Sequence, residues 1–148
     1  MREIKFRGKR VDTKEWVYGV PFGKYMIHRM TTAYYDDEVP MSGYPEFDYI
    51  EVIPETIGQY TGLKDKNGVE IYKGDIVAGV AYSFDRKGVI VWINELAGFG
   101  VKYLGRDTPT AWEESSILKN IKNNNYHFAA EIIGNIHDDP ELGGKHND

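Results

Sequence analysis

The sequence of 148 residues contains no cysteine. Disulfides and thiolate metal sites are therefore excluded, and a reducing cytoplasm is the expected setting. No apolar run approaches the roughly 20 residues that span a bilayer, and the polar opening Met1-Arg2-Glu3-Ile4-Lys5 lacks a signal-peptide core, so a non-membrane, unexported protein is expected. An excess of basic charge is also missing. The formal charge is −5, which disfavours a protein that grips duplex DNA by neutralising phosphates, although a local basic patch remains compatible with it.

Catalytic signatures are equally scarce. There is no Gly-x-Ser-x-Gly elbow, no Walker loop and no Gly-x-Gly-x-x-Gly; Gly98-Phe99-Gly100 alone reads as sheet curvature. His28, His127, His137 and His146 do not sit at ligand spacing, and His137 beside Asp138 and Asp139 is the best of them, with an exposed loop histidine as the plain reading. No catalytic residue, metal site or cofactor is expected. Neither an internal repeat nor a low-complexity tract is present.

What the chain has is aromatic and strand-forming text. Aromatic residues make up 14%, with eleven tyrosines, in an otherwise ordinary globular composition. Ile4, Phe6 and Gly8 alternate with Lys5, Arg7 and Lys9, which predicts a half-buried strand with a basic outer face. Asp12 to Glu15 reads as a turn and Trp16 to Val20 as the returning strand. From Arg2 to Glu15 six basic residues face three acidic ones. Lys5, Arg7, Lys9 and Trp16 are thus the candidate binding residues, as a phosphate-facing patch or simply as a solvated strand face. Trp92 and Trp112 could join such a platform or fill a β-core.

Tyr25 to His28 is a further candidate strand, after which Met30 to Tyr49 has no sustained period and reads as an irregular excursion. Between Asp36 and Glu55 lie seven acidic residues and no lysine or arginine. The block could repel nucleic acid, bind a cation, pair with the basic first strand, or be a solvated loop. Its spacing is not that of a calcium loop.

Strand formers from Thr56 to Tyr60 precede Asp65-Lys66-Asn67-Gly68, where Asn-Gly predicts a tight hairpin with positive φ at both central residues. Val69 to Tyr72 follows, then a Lys73-Gly74-Asp75 corner at which Asp75 is expected to accept backbone N–H bonds. Gln59 is the other polar residue embedded here. Ile76 to Tyr82 resumes an apolar strand, and Ser83 to Lys87 reads as a polar turn. Val89 to Ile93 is the most β-prone run and is predicted to be central, with Phe99 to Leu104 as its partner and Gly98 and Gly100 marking a bend or bulge. Thr110 to Ile121 is readable as short helix, strand or turn, and Asn123 to Asn125 as a loop. His127 to Ile136 is a last strand, and Asp139-Pro140-Glu141-Leu142-Gly143 has the grammar of one helical turn. Together these predict a mainly β chain, or α+β with little helix: an N-terminal β-hairpin region with an irregular acidic loop (1–54), a small barrel (55–143) and a disordered tail (144–148).

Gly58-Gln59-Tyr60-Thr61-Gly62-Leu63-Lys64-Asp65-Lys66-Asn67-Gly68, Ile71-Tyr72-Lys73-Gly74-Asp75-Ile76-Val77 and Glu131 to Leu142 resemble, in order, the hallmark blocks of the YopX family of phage and prophage proteins. Arg2-Glu3-Ile4-Lys5-Phe6-Arg7 is similar to that family's start. The resemblance implies phage or prophage origin and a C-terminal half similar to SH3-like barrels; it implies no activity and transfers no functional residue. With no catalytic constellation, the expectation is a non-enzymatic accessory protein that binds a host or phage protein. A nucleic-acid-binding module on the basic first hairpin is the alternative, an enzyme acting on a sugar or nucleotide a weaker one. Opposite charge in the first hairpin and the middle segment also suggests a homo-oligomer.

Overall fold

The computed structural model describes residues 3–29, 47–81, 84–105, 109–111 and 130–143. Most of the acidic excursion, Trp112, the remainder of the helix-or-strand segment, the Asn123 to Asn125 loop, His127, His146 and the tail lie outside the described residues. The chain is mainly β. It forms two compact units, one over Lys5–Ile57 and the other over Gly58–Asp148 with Met1–Ile4.

In the first unit, β1 (Phe6–Lys9), β2 (Trp16–Phe22), β3 (Tyr25–Arg29) and β4 (Phe47–Glu51) form an antiparallel meander in the order β4-β3-β2-β1. The predicted first hairpin is present. Its turn is closed by the Arg10 N–H donating to the Glu15 carbonyl at 2.9 Å, with Lys14 at φ 62°. A single bridge between Arg10 and Val52 joins the two ends of the meander, so the sheet curls without closing. Its concave side buries Met26 and Val52, both at most 1% exposed. Gly8 and Gly19 lie on that side: a Cβ on Gly19 would fall on the Ile27 carbonyl oxygen of the adjacent strand, and one on Gly8 would crowd the Met26 and Val52 side chains at 3.3 Å.

Thr56 and Ile57 are not strand, contrary to their propensity. Pro54–Thr56 is a 3-10 turn with proline at its start. Proline's fixed φ suits that place, and the Thr56 hydroxyl is engaged twice, donating to the Ile53 carbonyl at 2.6 Å and accepting the Lys9 N–H at 2.8 Å.

In the second unit, β5 (Gly58–Lys64) and β6 (Glu70–Tyr72) form a hairpin. β7 (Asp75–Ala81), β8 (Phe84–Ile93), β9 (Gly98–Tyr103), β10 (Thr110–Ala111) and β11 (Glu131–Asn135) form a five-stranded antiparallel sheet in the order β10-β9-β8-β7-β11. The run Val89 to Ile93 does lie in the middle strand. Ile71, Val77, Ile90, Phe99, Val101 and Tyr103 make the core. No sheet among the described residues closes into a barrel.

Gly98 and Gly100 mark no bulge: they pair in regular register with Ile93 and Val91. The irregularity falls instead between Ile132 and Gly134 on β11. There a Cβ on Gly134 would meet the Asp139 carboxylate at 2.5 Å, and that carboxylate accepts the Asn135 N–H at 3.2 Å. Asp139 therefore reaches backward, and the residues after it form a turn closed by Leu142 N–H to Asp139 carbonyl at 3.0 Å, in place of the expected helical turn.

The Asn67-Gly68 turn also differs from expectation. Only Gly68 has positive φ, at 79°. Asp65, 7% exposed, organises a longer loop: its Oδ1 accepts the N–H groups of Asn67 at 2.8 Å and Val69 at 2.9 Å, while Oδ2 accepts the Ile132 N–H at 3.1 Å. The same carboxylate thus closes the hairpin and pins it to β11. Asp75, 1% exposed, accepts the Tyr72 N–H at 2.8 Å, as its place after Gly74 predicts.

Two exposed carboxylates respond to acid in a predictable direction. The Arg10 guanidinium, at 2.7 Å, holds the Asp12 carboxyl well below the usual carboxylate range, and Lys66, also at 2.7 Å, lowers that of Glu131. A group depressed in the folded state contributes stability above its unfolded value, near pH 4, and loses that contribution as pH falls through the folded value. Carboxyl NMR titration should therefore show Asp12 and Glu131 protonating at lower pH in the folded chain than in urea; coincident curves would contradict both ion pairs.

Candidate functional site

Directly paired residues of an antiparallel ladder project to the same face. In the meander, Val20 pairs with Ile27 and Ile27 with Tyr49; Phe22 pairs with Tyr25 and Tyr25 with Glu51; Arg29 pairs with Phe47. On the other side of β2, Arg7 pairs with Tyr18 and Lys9 with Trp16. Tyr18, Val20, Phe22, Ile27, Phe47 and Tyr49, with Arg7, Lys9 and Trp16, belong to the convex face, opposite Met26 and Val52. Its apolar side chains stand in water: Phe47 is 45% exposed, Tyr18 48%, Val20 63%, Tyr49 64% and Phe22 70%. Scattered apolar residues on a surface need no explanation, but five in register on one sheet face form a patch of the kind that marks an interaction site.

β3 runs between β2 and β4, and its Ile27 is half-buried between the more exposed Val20 and Tyr49. At one end of the face is Lys24, whose ammonium lies 2.7 Å from Glu51 and over the Tyr25 ring at 5.4 Å. That pairing raises the Lys24 pKa, chiefly through the hydrogen bond to Glu51.

Of the four residues singled out in the sequence, Arg7, Lys9 and Trp16 come together at the β1 margin of this face. The Arg7 guanidinium sits 4.3 Å from the Trp16 ring centroid and the Lys9 ammonium 5.5 Å from it. Lys5 lies just before β1. The expected basic outer face is nevertheless altered. Arg7 is only 8% exposed, whereas Ile4, predicted to point inward, is 70% exposed. Alternation assigned parity correctly within β1, but Ile4 precedes the strand, and a guanidinium laid on an indole is covered by it.

His28 is exposed, its Nδ1 3.2 Å from the Tyr18 carbonyl. The Asn135 side chain accepts the N–H groups of His137 and Asp138, both at 3.0 Å, and donates to the Asp138 carboxylate at 2.7 Å, which makes this a braced turn. Among the described residues no cluster of three histidine or acidic side chains has metal-holding geometry. Trp92 is 40% exposed and meets Phe99 edge-on at 5.1 Å.

Sequence reasoning missed Val20, Phe22, Phe47 and Tyr49. In Trp16-Val17-Tyr18-Gly19-Val20-Pro21-Phe22 both parities are apolar or small, so alternation names no outer side. Asp65 was legible in principle, since an Asp two residues before Asn-Gly invites an Asx turn.

A family model described as YopX protein matches residues 5–142, and the chain belongs to that family. A search of curated proteins returns no match. Among solved structures, the chain is similar to the crystal structure of protein EF1440 from Enterococcus faecalis, with 26% identity over 97% of this chain and 99% of that one and a TM-score of 0.49.

Proposed function

We propose that this YopX-family chain is a non-catalytic, phage- or prophage-encoded module that binds a host or phage protein through the convex face of its N-terminal meander. The observation that carries the reading is the set of five side chains from Tyr18 to Tyr49, each 45% to 70% exposed and aligned on one sheet face. Antiparallel sheets often leave one side to water, but that side is then polar. Here it is aromatic and aliphatic, so covering it releases apolar surface from water.

Two further features support a protein partner over the nucleic-acid alternative. Arg7 is buried against Trp16, which occupies both the cation and the ring that a phosphate and a base would use. The patch also includes Val20, which offers apolar contact but no stacking plane. Asp65 and Asp75, the buried carboxylates of the second unit, accept backbone N–H groups, which supports an architectural role for the family's hallmark blocks. We read those blocks, as their lineage suggests, as an open relative of the SH3-like barrel.

Photo-crosslinking amino acids placed at Phe22 and at Tyr49 should capture the same polypeptide in cells carrying the phage. Capture should fail when Val20→Asp is added, and a crosslinker at Leu96, an exposed residue of the other unit, should not reproduce it. The purified polypeptide should then bind the chain in titration calorimetry, with Val20→Asp weakening it by roughly tenfold or more, the weight of one central contact. Capture that is indifferent to Val20→Asp, or an oligonucleotide mobility shift that is abolished by it, would overturn the proposal.

A further inference from the structure

We propose that Asn67 is a site of spontaneous deamidation which the Asp65 loop holds in check, and that conversion there loosens the attachment of the β5–β6 hairpin to β11. Asn67 is exposed and is followed by Gly68, whose missing side chain leaves its backbone nitrogen open to close approach. A Cβ on Gly68 would meet no atom within 4 Å, so the surroundings are open on that side as well. In the reaction the Gly68 nitrogen gives up its proton and attacks Asn67 Cγ; the new C–N bond closes a succinimide ring as the bond from Cγ to Nδ2 breaks, and ammonia leaves with that proton. Water then opens the ring at either carbonyl, giving aspartate or an isoaspartate whose main chain runs through the side-chain carbon. Water is consumed and ammonia released, and nothing is oxidised or reduced.

The folded loop opposes the first step. The proton that the Gly68 nitrogen must lose is donated to the Asp65 carbonyl at 3.0 Å, and Asp65 Oδ1 accepts the N–H groups on either side of it, from Asn67 at 2.8 Å and Val69 at 2.9 Å. A carboxylate so close also repels the amide anion through which the attack proceeds. Reaction therefore runs through a locally opened loop. Its products do not suit the closed one. Asn67 lies where the hairpin is fastened to β11: the Lys66 N–H donates to the Ala130 carbonyl at 3.1 Å, the Ile132 N–H donates to Asp65 Oδ2 at 3.1 Å, the Lys66 ammonium lies 2.7 Å from Glu131, and the Asn67 amide donates to that same Glu131. Conversion to aspartate replaces this donor with a carboxylate beside Glu131, a like charge in place of a hydrogen bond. Isoaspartate also lengthens the main chain between the two N–H groups that Asp65 Oδ1 holds. Because the loss of ammonia is one-way, the loosened joint accumulates with age.

The test incubates the full chain at mildly alkaline pH, folded in buffer and unfolded in guanidinium chloride, and follows conversion by mass-spectrometric peptide mapping after pepsin digestion at low pH, where the reaction stalls. Asn94, exposed but followed by Glu95, is the internal reference. In the unfolded chain Asn67 should convert far ahead of Asn94. In the folded chain it should convert more slowly by roughly tenfold or more, since the charge-assisted hydrogen bonds to Asp65 must release first. Asp65→Ala should bring the rate in buffer towards that of the unfolded chain, with Asp65→Asn between them. Gly134→Ala, which strikes the Asp139 carboxylate of the same unit, should not; circular dichroism confirms that these variants stay folded. Asn67→Asp should move unfolding to lower denaturant, and by less when combined with Glu131→Gln. Equal rates in the folded and unfolded chain, Asp65 variants as slow as wild type, or Gly134→Ala as fast as Asp65→Ala would each overturn the guarding role. Absence of conversion in the unfolded chain overturns the site, and an Asn67→Asp cost indifferent to Glu131 overturns the loosening.

Discussion

Asp65→Ala should lower the stability of the second unit by about 3 kcal/mol, the largest effect expected of any single polar substitution described here. Three backbone N–H groups lose a charged acceptor, two in the loop at Asn67 and Val69 and one on β11 at Ile132. Water can replace the acceptor at the exposed loop positions. It is less able to do so at Ile132, which is half-buried and packs against the core, so that N–H bears the larger share. Asp65→Asn separates these roles. Its carbonyl oxygen still serves one side, but its amide must then point a donor at another donor, and the expected cost falls to about 1 to 2 kcal/mol. Urea unfolding followed by circular dichroism should rank wild type above Asn above Ala. An alanine variant within about 0.5 kcal/mol of wild type would show that the loop holds without its carboxylate.

Gly19→Ala should be nearly as damaging, at about 3 kcal/mol, the upper end for an added methyl group in a packed site. The methyl falls on the Ile27 carbonyl oxygen of the neighbouring strand and 3.1 Å from the Met26 side chain. A flexible side chain can yield, but a ladder carbonyl cannot without separating β2 from β3. Because those strands carry Val20, Phe22 and Ile27 of the convex face, the variant should lose partner binding along with stability, whereas Val20→Asp should lose binding alone. Thermal melts and calorimetry on the two variants test this split. A Gly19→Ala chain that melts with wild type would mean that β2 and β3 are less closely apposed than the structure shows.

Much of the fold was readable from local text. The Asp12 to Glu15 turn, the glycine corner before Asp75 and the density of β-formers in Val89 to Ile93 each depend on neighbours within a few residues, and each appears where the residues place it. The misreadings share a different cause. Asn67-Gly68 has the composition of a two-residue turn, yet Asp65 outbids that preference because it gains a third hydrogen bond from Ile132, 67 residues away. Ile4 has strand propensity, but the strand begins two residues later.

The amino-acid sequence by itself determined the class of fold, the central place of Val89 to Ile93 with Phe99 to Leu104 beside it, and membership of the YopX family, because these rest on propensity, turn chemistry and ordered blocks. Which side of β2 and β4 faces water could be decided only by the tertiary structure. Both parities of β2 are apolar or small, so the choice fell to long-range packing: Gly19 fits the concave side, where a Cβ would collide with the Ile27 carbonyl of the adjacent strand, and Met26 and Val52 are buried there. Tyr18, Val20 and Phe22 were left outside by that steric selection, and the candidate binding face exists because of it.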